Sequence, residues 1–225
     1  MLNFFAVPIT DEWGTTYQLT TAGYTALVLI MIAILLLACY IGGSVKKPGF
    51  STRQLVFSAM AIAVATVTSF IKLLDMPMGG SVTLLSMLFI CLIGYWYGVR
   101  AGLMTAIAYG FLQLIIGPYI MSLPQMLVDY IFAFGALGLS GVFSGSKNGL
   151  IKGYVLGVLG RYFFSFLSGM IFFGIYAADY NMSAPVYSLV YNGAYLGAEA
   201  VLTIVILALP PIKKVMGQLK AMATA

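Results

Sequence analysis

Histidine is absent from this 225-residue chain, and only 8% of its residues are charged. The two cysteines, Cys39 and Cys91, lie inside apolar runs, so the sequence offers no plausible set of metal ligands. It also has no Walker A motif, no Gly-rich phosphate-binding turn between a strand and a helix, and no catalytic serine–histidine–aspartate set. We therefore expect a protein that is not an enzyme, does not hydrolyse ATP, and carries no cofactor or metal.

Hydrophobic residues make up 62% of the chain. This composition cannot supply the polar exterior of a soluble domain, and it predicts an all-α polytopic membrane protein. The formal net charge of +5 would suggest a nucleic-acid partner in a soluble protein. In a membrane protein the positions of lysine and arginine relative to the spans matter more, and we expect no nucleic-acid partner.

Seven apolar segments are long enough to cross a hydrocarbon core of about 30 Å. The first is not a signal peptide, because Asp11 and Glu12 precede it and Lys46 follows it. The predicted spans cover residues 24–43, 53–73, 82–99, 101–117, 124–144, 150–177 and 186–210.

The basic residues predict the orientation of these spans in the cell membrane. With the N-terminus outside and the C-terminus in the cytoplasm, nine of the eleven basic residues face the cytoplasm, as the positive-inside rule requires. Lys72 faces outside and Arg161 lies within a span. The nine are Lys46, Lys47, Arg53, Arg100, Lys147, Lys152, Lys213, Lys214 and Lys220.

A polar linker, SVKKPGFSTR at residues 44–53, separates the first span from the others. The sequence therefore predicts two units. Residues 1–48 form an outer tail, an additional N-terminal transmembrane helix and the start of the linker. Residues 49–225 form a six-helix membrane domain that carries the function.

Three ionisable residues lie inside predicted spans: Asp129, Arg161 and Glu199. A charge at membrane depth costs at least a few kcal/mol, so each should face the bundle interior and meet a partner. Arg161 and Glu199 lie at matching depths in consecutive antiparallel helices. They either form a buried ion pair or serve the substrate or a gate.

Asp129 lies near the outer end of its helix, with no basic residue obviously at its depth. It either reaches the lipid headgroups or supplies the negative charge for a cationic ligand. Tyrosines at this level commonly anchor helices at the interface, whereas buried amides need partners and favour a pocket. The aromatic and amide residues at the outer helix ends are Tyr109, Gln113, Tyr119, Tyr130, Tyr187, Tyr191, Asn192 and Tyr195.

The segment LLDMPMGGSVTLLS, residues 73–86, joins two of the predicted spans. Its proline and paired glycines are typical of a tight turn. Adjacent glycines also permit a mobile lid over a site. Both interpretations remain open from the sequence.

Several motifs together resemble the thiamine-specific substrate-binding (S) subunits of energy-coupling-factor (ECF) transporters. They are DMPMGGSVTLLSM, YGVRAGLMTAIAYGFLQLIIG, LPQMLVDYIFAFGALGLSGVF, RYFFSFLSGMIFFG and VYSLVYNGAYL, and the resemblance covers about residues 53–212. It implies a six-helix S-component bundle that captures a vitamin on the outer face. It also implies a separate transmembrane coupling protein and two cytoplasmic ATPases as partners, which fits the missing ATP motif.

The resemblance also implies roles for particular residues. The thiamine-coordinating carboxylate of the family falls on Asp129, and further ligand contacts fall on Tyr119, Tyr130, Tyr187 and Asn192. Ser165 stands where the family commonly has a histidine, and Pro185-Val186 where it has a tryptophan. A tyrosine or phenylalanine can supply the aromatic face for a thiazolium ring. The small-residue coupling motif falls on Ala59 and Ala63, which alternatively pack within the bundle itself.

The leading interpretation is therefore an ECF-type S subunit that binds thiamine. A thiamine precursor or a pyridoxine-like vitamin is the near alternative. A second class is a stand-alone proton-coupled carrier that uses Asp129, Arg161 and Glu199 as a relay, and a third is a structural membrane protein without a ligand. Dependence on partner ATPases separates the first two classes, and retention of a vitamin through purification separates both from the third.

Overall fold

The computed structural model describes residues 2–11, 14–23, 25, 26, 29, 50–76 and 80–224. The first predicted span, residues 24–43, lies almost entirely outside these residues, as do Trp13, Lys46 and Lys47. The additional N-terminal transmembrane helix therefore stays a prediction.

The N-terminal segment begins with a short helix, α1 (Leu2–Phe5), followed by a two-stranded hairpin. Strands β1 (Ala6–Asp11) and β2 (Gly14–Leu19) are antiparallel, with Ala6 opposite Leu19 and Asp11 opposite Gly14. The sequence predicts only an outer tail at these residues, so the hairpin is an addition to that prediction.

Helices dominate the rest of the described chain. One further small hairpin, β3 (Lys72–Asp75) with β4 (Ser81–Thr83), interrupts them, and a 3-10 segment, Gly174–Tyr180, follows α6. The helices are α2 (Thr52–Ser69), α3 (Ser86–Tyr97), α4 (Val99–Ile116), α5 (Leu123–Phe143), α6 (Gly149–Phe172), α7 (Ala184–Ala208) and α8 (Pro210–Thr224).

Four of the described helices, α4 to α7, are long and apolar enough to cross a membrane, and α3 is a shorter apolar helix. The prediction of an all-α polytopic membrane protein is confirmed, with two small hairpins added to it. The number of spans stays a prediction, because α2 is not among the helices that are both long and apolar enough and α3 has only 12 residues. The first predicted span, moreover, lies almost entirely outside the described residues.

The predicted spans 53–73 and 82–99 both extend too far toward the segment that lies between them. Helix α2 ends at Ser69 and not at residue 73, and α3 begins at Ser86 and not at residue 82. The residues between them pair as β3 and β4, with Lys72 opposite Thr83. An apolar run such as residues 71–74 does not distinguish the end of a helix from a strand.

Helix α5 is irregular along most of its length. It contains a π-helical turn at Leu127–Phe132 and a 3-10 segment at Ala136–Phe143. A Cβ atom at Gly138 would overlap the backbone of Gly102 and Leu103, and one at Gly141 would overlap the backbone at Val99. Glycine therefore allows α5 and α4 to pack backbone against backbone, as small residues do between membrane helices.

Helix α8 occupies a stretch that is predicted from the sequence as a cytoplasmic tail. It lies across the end of the bundle at which α3 ends: the Tyr97 hydroxyl donates to the Ala223 carbonyl at 2.9 Å. Lys220 Nζ donates to the Ser144 carbonyl at 2.9 Å and lies 3.9 Å from the centre of the Tyr95 ring. The tail is thus a helix fixed to the bundle.

Candidate ligand-binding site

A cavity of about 460 Å³ lies at the other end of the bundle, between the β3–β4 hairpin, α4, α5, α6 and α7. Its volume is in the range of small-molecule sites in proteins, about 300–1,000 Å³. All eight ligand-binding residues named from the sequence line this one cavity. They are Tyr109, Gln113, Tyr119, Asp129, Tyr130, Ser165, Tyr187 and Asn192.

Asp129 lies in the π-helical turn of α5 and is half-buried. Its Oδ2 atom accepts a hydrogen bond of 2.6 Å from Gln125 Nε2. The same Gln125 amide donates to the Tyr119 carbonyl at 3.1 Å, and its oxygen accepts from Met121 N at 2.9 Å. Gln125 therefore fixes both the carboxylate and the chain that leads to Tyr119.

Aromatic rings form one side of the cavity. Tyr119 stacks on Phe173, with ring centroids 5.8 Å apart, and its hydroxyl lies 3.0 Å from that of Tyr176. Tyr130 stacks on Phe134 at 6.3 Å, and its hydroxyl accepts from Tyr119 N at 2.9 Å. These rings present flat faces that suit an aromatic ligand.

Tyr109 and Gln113 extend from α4 toward α2. The Tyr109 hydroxyl is 3.4 Å from the Ala65 carbonyl, a long hydrogen bond, and its ring meets the Phe134 ring edge-on at 5.4 Å. Gln113 Nε2 donates to Ser69 Oγ at 3.2 Å. Both side chains line the cavity and also join the two helices.

Three tyrosines follow one another along α7. Tyr187 stacks on Tyr191 at 5.6 Å, and Tyr191 meets Tyr195 at 5.7 Å. The Tyr187 hydroxyl and, on α6, Ser168 Oγ are buried and have no hydrogen-bond partner among the described residues. Both residues line the cavity, so a ligand could satisfy their hydroxyls.

Asn192 has its amide group occupied by protein partners. Its Nδ2 atom donates to the carbonyls of Ser165 and Ser188 at 3.2 and 3.0 Å, and its Oδ1 accepts from the Tyr195 hydroxyl at 3.1 Å. In this arrangement Asn192 joins α6 to α7. Ser165 is buried and lines the cavity.

Of the two alternatives left open for Arg161 and Glu199, the buried ion pair is not formed, and both residues line the cavity. Among the described residues the salt bridge found is Lys72 to Asp75, at 2.9 Å. The Arg161 guanidinium lies over the Phe134 ring, 4.2 Å from its centre. The Glu199 carboxylate instead accepts hydrogen bonds from Thr83, Ser86 and Met87. Equal depth along two helices does not fix which way each side chain points.

The described part of the segment at residues 73–86, together with the adjacent Lys72, borders the cavity. Lys72, Gly80, Ser81 and Thr83 line it. Gly80 N donates to the Tyr191 hydroxyl at 2.9 Å, so the turn of the hairpin contacts α7. The segment is a hairpin fixed at its turn, and its movement as a lid stays a prediction.

The two alanines of the predicted coupling motif lie away from the cavity. Ala59 and Ala63 are exposed on α2, whereas Ala61 and Ala65 are buried against the bundle. The alternative that the motif packs inside its own bundle is not supported by this arrangement.

The sequence profile of a family described as "Thiamine transporter protein" matches residues 55–218. The chain belongs to this family. The thiamine transporter ThiT of Bacillus subtilis is 36% identical over 172 residues, 69% of this chain and 88% of that protein. ThiT of Lacticaseibacillus paracasei is 31% identical over 129 residues, 48% of this chain and 64% of that protein.

A solved structure, that of ThiT from Listeria monocytogenes, has the same fold. It superposes with a TM-score of 0.58 at 28% identity, and the match covers 70% of this chain and 94% of that one. These relatives are named as transporters and not as enzymes, which agrees with the expectation from the sequence.

Some residues that line this cavity were not predicted from the sequence. Gln125 is four residues before Asp129, and this spacing places both side chains on one helix face. Their contact was therefore predictable from the sequence. Ser168 and Phe173 gave no such pattern, because serine and phenylalanine are common in membrane helices. Only the fold brings them to the cavity.

Proposed function

We propose that the chain is the substrate-binding subunit of an ECF-type vitamin importer and that its cavity binds thiamine. The observation that supports this proposal most directly is the Asp129 carboxylate in a cavity lined by aromatic rings. Thiamine has a permanently cationic thiazolium ring and a neutral pyrimidine ring. A carboxylate offsets the charge, and aromatic faces add a cation–π contact of about 0.5–2 kcal/mol.

The aromatic face that the family takes from tryptophan is supplied, in this proposal, by tyrosine and phenylalanine. The stacked pair of Tyr119 and Phe173 lines the cavity, as do Tyr130 and Phe134. The unpartnered hydroxyls of Ser168 and Tyr187 are available to polar atoms of the vitamin. Charge, ring faces and hydroxyls therefore occur in one place, as a cationic two-ring ligand requires.

The orientation that we propose places the cavity on the outer side, with the N-terminus outside and the C-terminus in the cytoplasm. At the cavity end, the described basic residues are Lys72 and, deeper, Arg161. The other described basic residues lie near helix ends or in α8, at the opposite side of the bundle, as the positive-inside rule expects of a cytoplasmic face. They are Arg53, Arg100, Lys147, Lys152, Lys213, Lys214 and Lys220.

Delivery across the membrane, in this proposal, depends on a separate coupling protein and two cytoplasmic ATPases. The sequence has no ATP-binding motif of its own. The exposed Ala59 and Ala63 on α2 leave room for a helix of the coupling protein to approach closely.

A thiamine precursor or a pyridoxine-like vitamin remains the near alternative for the ligand. The proton-coupled carrier receives less support, because a relay would need Glu199 to exchange protons with Arg161 or Asp129. The Glu199 carboxylate is already occupied by contacts with Thr83, Ser86 and Met87 in the β4–α3 region.

The test is to purify the chain in detergent, identify any retained vitamin by mass spectrometry, and titrate the emptied protein with thiamine and with pyridoxine by calorimetry. Retention of thiamine and preferential binding of thiamine are expected. Preferential binding of pyridoxine would assign the near alternative, and binding of neither would contradict the proposal. Uptake by cells that lack the ATPases would contradict the ECF assignment.

A further inference from the structure

Glu199 is a buried carboxylate on α7, with only 3% of its surface exposed. Its Oε2 atom accepts from Thr83 N at 3.0 Å and from Thr83 Oγ1 at 2.7 Å. Its Oε1 atom accepts from Met87 N at 3.2 Å and from Ser86 Oγ at 3.3 Å. Ser86 Oγ also lies 2.6 Å from Thr83 Oγ1, and each hydroxyl has one proton. The two backbone N–H groups and the Thr83 hydroxyl, all from one short segment, are therefore the main donors to the charge.

This segment is the junction at which strand β4 turns into helix α3. Leu85, at the centre of the junction, has φ 62° and ψ 20°, a left-handed conformation that costs a side-chain-bearing residue free energy. Leu85 is the N-cap residue of α3 and forms no capping hydrogen bond with its side chain. Contacts from outside the junction must therefore stabilise the left-handed conformation of Leu85.

Glu199 supplies the missing cap from another helix. Met87 is the second residue of α3, and its N–H group is one that an N-cap side chain usually satisfies. A negative charge at this position also interacts favourably with the helix dipole. The other oxygen binds Thr83, on the far side of Leu85, so the carboxylate bridges the strained residue.

We propose that Glu199 is a positioning residue that clamps the β3–β4 hairpin to α7 and thereby keeps the cavity closed around its ligand. The clamp acts at the base of the hairpin through Thr83. The contact of Gly80 N with the Tyr191 hydroxyl acts at its turn. Both contacts are made to α7, and residues at both points line the cavity. The effect on ligand retention rests on the proposed function, whereas the clamp itself does not.

Glutamine at position 199 breaks the clamp with little change of shape. The hydroxyls of Thr83 and Ser86 can rotate and accept from the new NH₂ group. The N–H groups of Thr83 and Met87 cannot, and they bind different oxygens of the carboxylate. Whichever way the amide is oriented, one backbone N–H loses its acceptor.

The test uses the full-length chain in detergent and compares wild type with Glu199→Gln. Hydrogen exchange of peptides that cover residues 81–90 reports the clamp, and stopped-flow measurement of thiamine dissociation reports retention. Hydrogen bonds to a charged group predict exchange and dissociation that are each faster by about tenfold or more in Glu199→Gln. The association rate is expected to change much less, because Glu199 has no free oxygen to attract the ligand.

Thr203→Val is the control, since Thr203 is buried one turn further along α7 and its hydroxyl donates to the Glu199 backbone carbonyl, at 2.7 Å, and not to the hairpin. It should leave both rates near those of wild type. Unchanged exchange in Glu199→Gln, or faster exchange with unchanged dissociation, would overturn the proposal.

If wild type binds no thiamine, the proposed function fails, and the exchange measurement still decides the clamp. If Glu199→Gln does not fold, Thr83→Val, which removes one hydroxyl donor, should show a smaller increase of both rates, and no increase would overturn the proposal.

Discussion

Asp129 shows how a carboxylate can be kept at membrane depth without a salt bridge. Among the described residues, Gln125 donates to it a hydrogen bond of 2.6 Å. One such bond does not offset the cost of moving a charge out of water. The remaining stabilisation must come from the cavity, from Arg161 on its wall, and from a cationic ligand when one is bound.

The first prediction is that Asp129→Asn weakens thiamine binding severely and leaves the fold intact. Breaking a buried charge pair costs about 3–5 kcal/mol, whereas asparagine can still accept the Gln125 hydrogen bond. Titration calorimetry measures the affinity, and thermal unfolding in detergent checks the fold. Asp179→Asn is the control, because Asp179 is exposed.

An unchanged affinity in Asp129→Asn would remove this residue from the site. A loss of only about 0.5–1.5 kcal/mol, the contribution of an ordinary hydrogen bond, would instead indicate a neutral ligand such as a pyridoxine-like vitamin. The size of the loss therefore separates the two ligand assignments.

The positions of single site residues were largely predictable from the sequence, and their partners were not. Counting residues at 1.5 Å each gives the depth of a side chain along its helix. This counting placed Tyr109, Asp129 and Tyr187 near the same end of the bundle, where they line one cavity. Rotation about each helix axis depends on packing. The sequence therefore left open whether Arg161 and Glu199 pair, and the structure gives each of them a different partner.

At the scale of elements, the π-helical turn of α5 is what presents Asp129 and Tyr130 to the cavity. A π turn inserts an extra residue into the helix and is common at functional sites. Gly110 on α4 faces this turn, and a Cβ atom there would overlap the Tyr130 carbonyl oxygen. The shape of the site thus depends on a glycine outside the cavity lining.

The second prediction is that Gly110→Ala lowers both the stability and the thiamine affinity. The added methyl group must push the π turn away, and overpacking of this kind costs about 1–3 kcal/mol. Thermal unfolding and calorimetry measure the two effects. Gly197→Ala on α7 is the control, because no atom lies within 4 Å of the position that a Cβ atom would take there, and alanine should be neutral or stabilising. Equal behaviour of the two variants would contradict the role of Gly110.

Long apolar elements were predictable, and short or irregular ones were not. Helices α4, α5 and α7 agree with the predicted spans within two residues, because a continuous apolar run in a membrane protein has little alternative to a helix. Helix α6 begins within one residue of its predicted span but ends at Phe172, five residues before the predicted end. The β3–β4 hairpin and helix α8 were missed. Their stability comes from contacts with other elements, such as those of Thr83 with Glu199 and of Tyr97 with Ala223.

At the scale of the whole molecule, the cavity is formed by residues from Ser69 to Glu199, and the N-terminal unit contributes no described residue to it. The third prediction is that deleting residues 1–48 leaves thiamine affinity largely unchanged. Calorimetry on the truncated chain measures this, with thermal unfolding as the check of folding. Loss of binding in a folded truncation would show that the N-terminal unit completes the pocket, for example through the aromatic ring of Trp13.

The fourth prediction concerns the outward face of α2. Ala59 and Ala63 are one turn apart and exposed, and small residues at this spacing let two membrane helices approach closely. The double variant Ala59→Trp/Ala63→Trp should therefore abolish thiamine uptake in cells that contain the coupling protein and ATPases. It should leave the affinity of the isolated subunit intact, because neither residue lines the cavity.

The matched control is Val201→Trp/Val205→Trp, which places the same side chains at the same spacing on α7, at positions 63% and 57% exposed. If bulk on a lipid-facing surface were harmful in itself, both double variants would lose uptake. Loss only in the α2 variant locates the coupling surface on α2. Full uptake by the α2 variant would contradict that location. Loss of affinity together with uptake would show that the alanines support the bundle itself.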